Sequence, residues 1–515
     1  MKQSSKLWLF AAICALSMAG NAMAAVSVEE RTLYQGADRD AAQTGTAASL
    51  PAGAAATLPG SGAGYALAPG SGSVTLNDTV TLTLRNNPNL KAMQEYRQAA
   101  EFDRKKSRSG FMPTMDATAG IGFEQWSDST TRSSLSGTQK PHDYYDRFDA
   151  SVTIRQTIWD GFAAWSRYRM ADATLTSAEH RLFDNAEALS LDAILAHIEI
   201  CRQQKMLELS ELNVANHRRI LQSQLDRERA GASTRADVTQ TQARLSRAET
   251  SMVDSRLAYE TAVYNYRNLT GHIPGQLLPP KGPAQTYPSM ETVLSSSLTN
   301  NSKVLSKRAD IDALFAQKEI GKAAFHPRIF LEASYNYNDK VQSSDTYTWG
   351  SSLMLRGQWN LYNGHYDWYT LKGNKARIRQ ANMELQALRE NLAEEAATTW
   401  SQWSATQELV RFYTNAVIYN TQTRDMYLQQ FNVGSRSLLD VLDSENELYS
   451  TSMQLVTSQM NDIAGQYRLV TLCGKLLETL GTDRNALVID TDENDFILQS
   501  DLTKWQVDNE IRPPQ

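Results

Sequence analysis

The chain has 515 residues, of which 41% are hydrophobic and 21% charged, and it carries a net charge of −6. That balance excludes a bundle of membrane-spanning helices and, for want of a basic surface, a nucleic-acid binder. It does not exclude a membrane β-barrel, in which only alternate residues of short strands face lipid.

The N-terminus reads as a secretory signal over residues 1–24. Lys2 and Lys6 supply the basic start, Leu7 to Met18 the apolar run, and Ala22-Met23-Ala24 the small-residue cleavage site. The apolar run is too short for a spanning helix. Cys14 lies inside this signal in a poor setting for a lipid anchor. Residues 25–75 are rich in Ala, Gly and Pro and read as a low-complexity arm. Past the signal no stretch approaches 18 consecutive apolar residues, so no transmembrane helix is expected. Cys201 and Cys473 are expected as two buried free thiols.

From there the chain repeats itself. Gly161 and Gly364 are 203 residues apart, as are Gly231 and Gly434, Thr234 and Ser437, and Asp237 and Asp440. Upstream the offset is 214, matching Asn86-Asn87-Pro88-Asn89-Leu90 to Asn300-Asn301-Ser302-Lys303-Val304 and Pro113 to Pro327. The change of offset falls near Ser127–Asp143, a polar stretch that reads as a longer surface loop. The expected repeats are 76–285 and 286–482, followed by an acidic, solvated tail over 483–515.

Each copy opens with a helix, Asn77 to Ser109 and Met290 to Ala324, stopped by Pro113 or Pro327. Period-two strands follow. Phe148, Ala150, Val152 and Ile154 alternate with Asp149, Ser151, Thr153 and Arg155, and Ile329, Leu331, Ala333 and Tyr335 with Glu332, Ser334 and Asn336. Such alternation gives one apolar and one wet face. Trp126, Trp159, Trp349, Trp359 and Tyr362 lie near strand ends, as in an interfacial aromatic belt. No proline or glycine then occurs from Phe162 to Ala230, and only Gly373 interrupts His365 to Val433. Each run is long enough for a helix of about 100 Å. The spacing of Ile378, Ala381, Leu385, Leu388 and Leu392 is that of a coiled-coil seam. Glycine tips at Gly231 and Gly434 turn each rod into a returning helix, capped by Thr234 with Asp237 and by Ser437 with Asp440. The fold class is therefore mostly α with membrane β: a duplicated β-hairpin plus long coiled-coil helices.

Four strands cannot close a barrel, and unpaired edges are not tolerated in lipid, so the chain must assemble with copies of itself. The sequence resembles the TolC family of outer-membrane efflux and secretion channels over residues 75–480. The resemblance is carried by Asn87 to Leu90, Pro113 and Pro327, Asp160-Gly161 and Asn363-Gly364, and above all Val433 to Asp443. It implies a homotrimer with a 12-stranded β-barrel continuous with a periplasmic α-helical barrel. It also implies residence in the outer membrane, contact with its lipid, a periplasmic adaptor, and an inner-membrane ABC or proton-driven transporter. By the same resemblance Asp440 and Asp443 match an acidic ring at the periplasmic mouth, and Arg436 and Asp237 match links between neighbouring coils. Phe431 stands where the family often has a link tyrosine.

The rival for Asp440 is a plain helix cap, a role compatible with the ring. No HExxH, P-loop or GxSxG occurs, the glycines at Gly60, Gly62 and Gly64 precede no helix, and Asp490, Asp492 and Asp495 lack the glycine and final glutamate of a calcium loop. His197 reads as packed or solvated. No catalytic residue, metal or cofactor is expected. The expected function is a passive export duct carrying protein or small molecules; the alternative is a pore-less periplasmic coiled-coil protein.

Overall fold

The computed structural model describes residues 73–126, 143–284, 287–341 and 347–488, all within one unit from Leu67 to Gln515. The signal, almost all of the arm, the Ser127 loop and the acidic run from Asp490 lie outside the described residues.

The described residues begin with a short strand β1 (Ser73–Val74), then α1 (Leu76–Asn86) and α2 (Pro88–Ser107). A hairpin follows, β2 (Thr114–Trp126) and β3 (Asp143–Trp159), then the rod α3 (Ala163–Arg229) and its return α4 (Arg235–Thr270). After β4 (Gln276–Leu277) the order recurs as α5 (Met290–Asn300), α6 (Ser302–Ala323), β5 (Arg328–Asp339), β6 (Tyr347–Gln358), α7 (Tyr366–Asn432) and α8 (Leu438–Leu472). A short α9 (Leu476–Thr479) follows. Both rods have 67 residues, about 100 Å at 1.5 Å each. α7 runs through Gly373 unbroken. Among the described residues no helix is long and apolar enough to cross a membrane.

The opening helix of each copy, expected as one piece, is two. Asn87 and Asn301 take extended backbone, and each side chain accepts a hydrogen bond two residues on, from the amides of Asn89 and Lys303 at 2.9 Å. Pro88 lacks the amide that a continuous helix needs and restricts Asn87 to extended geometry. In copy two the asparagine does this without a proline. Asn301 Nδ2 also donates to the Leu472 carbonyl (3.0 Å), and Asn87 Nδ2 to that of Leu269 (3.5 Å). Each break therefore satisfies an orphan carbonyl at the end of a return helix.

The main core lies where α1, α2, α3, α8 and α9 meet, around Leu90, Leu182, Ile194, Tyr467 and Leu476. Each fully buried leucine or isoleucine there contributes roughly 1.5–3 kcal/mol. The start of the supposedly solvated tail belongs to this core. Leu487 is buried, and Arg484 donates to Glu187 (2.9 Å) and to the Gly474 carbonyl (2.6 Å). Burial pushes the Glu187 carboxyl up to about 7, against the pull of Arg484. His197 is packed: Nε2 meets the Leu278 carbonyl at 2.9 Å and Nδ1 the Thr79 hydroxyl at 3.0 Å. Burial lowers its pKa, consistent with a neutral ring. Cys201 and Cys473 are both buried and unpaired.

The four long strands form one antiparallel sheet in the order β2-β3-β5-β6. A bulge between Thr157 and Trp159 ends the regular pairing of β3 with β5.

Candidate functional site

Two parts of the molecule carry chemistry suited to a duct: the sheet and the two hairpin tips. Alternation divides the sheet as its sequence requires. One face holds Ile121 and Phe123, each 89% exposed, with Leu353 and Leu355 at 70% and 67%. The other face is polar and cross-linked. Thr118 bonds Ser151 (2.7 Å), Ser334 bonds Ser352 (2.8 Å), and Arg155 and Arg356 both reach Glu332 at 2.8 Å. Trp349, Trp359 and Tyr362 are exposed near strand ends, while Trp159 packs edge-on against Phe162. A soluble sheet buries its apolar face and leaves its polar face wet; here the apolar face lies open on the outer strands.

The rods meet the sheet at Phe162 and His365, both left-handed at φ 65°, each just after a glycine. At the far end each rod stops in the same turn. The Ala232 amide reaches the Arg227 carbonyl and the Gly231 amide that of Glu228; Ser435 and Gly434 do the same with Gln430 and Phe431. Gly231 (φ 74°) and Gly434 (φ 80°) take the left-handed conformation that a side chain would strain.

The predicted residues all fall at these tips. Asp237 closes a full capping box. Its carboxylate accepts from the Thr234 hydroxyl (2.8 Å), the Thr234 amide (3.1 Å) and Ser233 (3.2 Å), while its own amide donates to Thr234. The Thr234 bonds hold its carboxyl below the usual range. Asp440 accepts from the Ser437 hydroxyl (2.9 Å) and lies 3.6 Å from Arg436 Nε. Asp443, three residues on, pairs with Arg244 of α4 at 3.2 Å. Within the chain Arg436 and Asp237 do not meet: Arg436 sits over the Tyr427 ring (4.1 Å), and Asp237 serves its own helix.

The contacts that do join the two hairpins were not foreseen. Arg227, near the end of α3, lies 4.0 Å over the Phe431 ring and donates to the Phe431 (3.0 Å) and Asn432 (3.4 Å) carbonyls at the end of α7. Phe431 is buried with Ile220, Leu438, Val441 and Leu442. Deeper in, the buried Glu445 accepts from Asn216 and from Arg424 (3.3 Å). The missed signal was a cation one turn before a tip glycine, facing an aromatic one turn before the other.

An antiparallel sheet with an exposed apolar face, continued by two rods of about 100 Å with shorter returning helices, is the architecture expected of an outer-membrane export duct. The family described as "Outer membrane efflux protein" matches residues 79–272 and 293–475, and the chain belongs to it. It is similar to the outer membrane efflux protein BepC of Brucella suis, 22% identical over 65% of this chain and 74% of that one. It is similar as well to the proteases secretion protein PrtF of Dickeya chrysanthemi, 26% identical over 74% and 84%. The fold matches the crystal structure of the outer membrane protein VceC of Vibrio cholerae with a TM-score of 0.66, 16% identity, and coverage of 79% and 96%. The protein is thus an outer-membrane export channel of the TolC kind, one part of a tripartite export system, and not an enzyme.

Proposed function

We propose that three copies of this chain close into a duct that gives passive exit across the outer membrane, with their four-stranded sheets making a twelve-stranded barrel. The observation that carries this is the sheet itself. Its apolar face is exposed, its polar face is internally bonded, and β2 and β6 are long unpaired edges. Lipid covers such a face, and closure removes such edges. A pore-less coiled-coil protein would leave both unexplained. The repeats are assigned to 76–285 and 286–482, each supplying one hairpin of strands and one of helices. Energy comes from an inner-membrane ABC or proton-driven transporter, reached through a periplasmic adaptor at the helical tips. The names of the relatives include both efflux and protease secretion, and either cargo class fits this duct.

At the tips, Asp440 and Asp443 form the acidic entrance ring, with Arg436 and Asp237 as links between neighbouring coils. Three residues apart on one helix, the two aspartates share a face, and copies around an axis gather them into a cation-favouring ring. Arg436 and Arg244 temper that charge. The test is single-channel recording in a planar bilayer, with Asp440→Asn/Asp443→Asn beside the natural protein. A small cation-selective conductance that loses selectivity in the double variant supports duct and ring. Unchanged selectivity removes the ring and leaves the aspartates as helix caps. A stable oligomer that never conducts, even with its adaptor present, overturns the duct.

A further inference from the structure

The polar face of the sheet is not evenly charged. Its middle holds hydroxyls and amides, among them Thr118, Ser151, Ser334, Asn336 and Ser352. At the end joined to the rods, arginines gather. Arg155 of β3 donates through Nε (3.2 Å) and Nη2 (2.8 Å) to one oxygen of Glu332, and Arg356 of β6 donates through Nε (2.8 Å) to the other. Arg328 lies on the same face of β5, nearer the rods and opposite Gln358. The Glu332 side chain is sunk between its partners, 13% exposed, while those of Arg155 and Arg356 are 52% and 48% exposed. One carboxylate is thus shared by two guanidinium groups, and about half of each stays open to solvent. Phe330 supports Arg155 from beneath, its ring centroid 4.8 Å from the guanidinium carbon. Asp116, on the next row, is the other acid here, so among the described residues these rows set three cations against two anions. Toward the opposite end the balance reverses, with Arg147 shared by Glu124 (3.3 Å) and Asp149 (2.9 Å).

The duplication does not account for the cluster. At the repeat offsets the counterparts of Arg155, Arg356 and Glu332 are Gln358, Thr153 and Thr118. The cluster therefore stands at the joint between the two copies and occurs once per chain. Twelve strands about 4.8 Å apart and tilted about 40° close to a radius of about 12 Å. Arginines reaching inward from that wall lie within a Debye length of the axis, about 10 Å at 0.1 M salt. A solute in the lumen cannot pass outside their field.

We propose that Arg155 and Arg356, held in place by Glu332, form a cationic belt at the base of the barrel that binds carboxylate groups of cargo leaving the duct. The flat guanidinium matches a carboxylate through paired N–H bonds, which an ammonium cannot do. The belt rests on the channel reading and adds to it a site for anions, opposite in sign to the acidic entrance.

The test is binding of fluorescein-labelled hexaglutamate to the detergent-purified oligomer, read by anisotropy, with conductance recorded on the same preparations. The natural protein should bind the peptide, and less tightly as salt rises. Arg155→Gln with Arg356→Gln should weaken binding about tenfold or more, and Arg155→Lys with Arg356→Lys should stay within about threefold, because charge is kept. The Gln pair strips Glu332 of its partners, so Ser334→Asp supplies a second reading. It keeps every arginine bond, sets a carboxylate one row from the belt, and should weaken binding about fivefold. Conducting oligomers that bind no hexaglutamate, or whose binding ignores the Gln pair and Ser334→Asp alike, overturn the belt and leave the channel reading intact. Protein that never conducts, even with its adaptor present, overturns both.

Discussion

Replacing Arg227 by leucine should loosen the joint between the two hairpin tips while sparing the sheet. Its guanidinium makes a cation–π contact with Phe431 at 4.0 Å and donates to two carbonyls at the end of α7. A cation–π contact is worth about 0.5–2 kcal/mol, and a hydrogen bond from a charged donor about 1.5–3 kcal/mol. The side chain is half-buried, so solvent discounts the sum to about 2 kcal/mol per chain. That is a roughly thirtyfold shift in the local docking equilibrium. Hydrogen exchange followed by mass spectrometry is the assay. Amides on either side of Gly434 should exchange tenfold or more faster in Arg227→Leu, with β3 and β5 amides unchanged. Arg227→Lys keeps the charge but loses the planar fork, and should fall between. Exchange near Gly434 that stays within twofold of the natural protein would refute the assignment. So would an equal acceleration in the sheet, which would mean general destabilisation.

Three other outcomes follow from the geometry. Asn301→Ala removes both the bond to the Lys303 amide and that to the Leu472 carbonyl, and should cost about 1–2 kcal/mol, read as a lower denaturation midpoint; Asn87→Ala should cost less, because its bond to Leu269 is longer. Glu187 has its folded pKa raised from 4.5 to about 7, so the stability it contributes is fully present below about 4.5 and lost as pH rises through 7. Subtracting melting profiles of Glu187→Gln from those of the natural protein separates this effect from that of the buried histidines, whose lowered pKa values act with the opposite sign, and a difference flat between pH 4.5 and 8 refutes it. Burial pushes the Cys201 thiol up to about 11, so a maleimide at pH 7 should label it only in denaturant; rapid labelling of the native oligomer would contradict the burial.

The turns and rods were legible because their causes are local. Gly161, Gly231, Gly364 and Gly434 all take positive φ, and a left-handed residue at a fixed period needs no tertiary information to be recognised. The rods could be read because proline and glycine are absent from one and nearly so from the other. The Asn87 and Asn301 breaks were missed because Asn-Pro reads as a helix start, whereas here it both ends one helix and begins another. Its second reason, a carbonyl on a return helix, lies more than 170 residues away. The tips show the same limit. Asp237 with Thr234 is a neighbour relation and was found, while Arg227 with Phe431 spans 204 residues and was not. Asp443 was placed by resemblance, and its Arg244 counter-ion came only with the fold.

The equal length of the two rods has a consequence for how such a chain can change over time. Each has 67 residues between a fixed left-handed start and a glycine tip. Loss of one residue from one rod would shorten it by about 1.5 Å and turn everything beyond it by about 100°. Its twin would keep the old height and facing, and Arg227 would no longer meet Phe431. Insertions and deletions within these helices are therefore tolerable only as matched events in both halves, and preferably in steps of about seven residues, which nearly restore the facing. Length, more than residue identity, is the trait the two halves must inherit together.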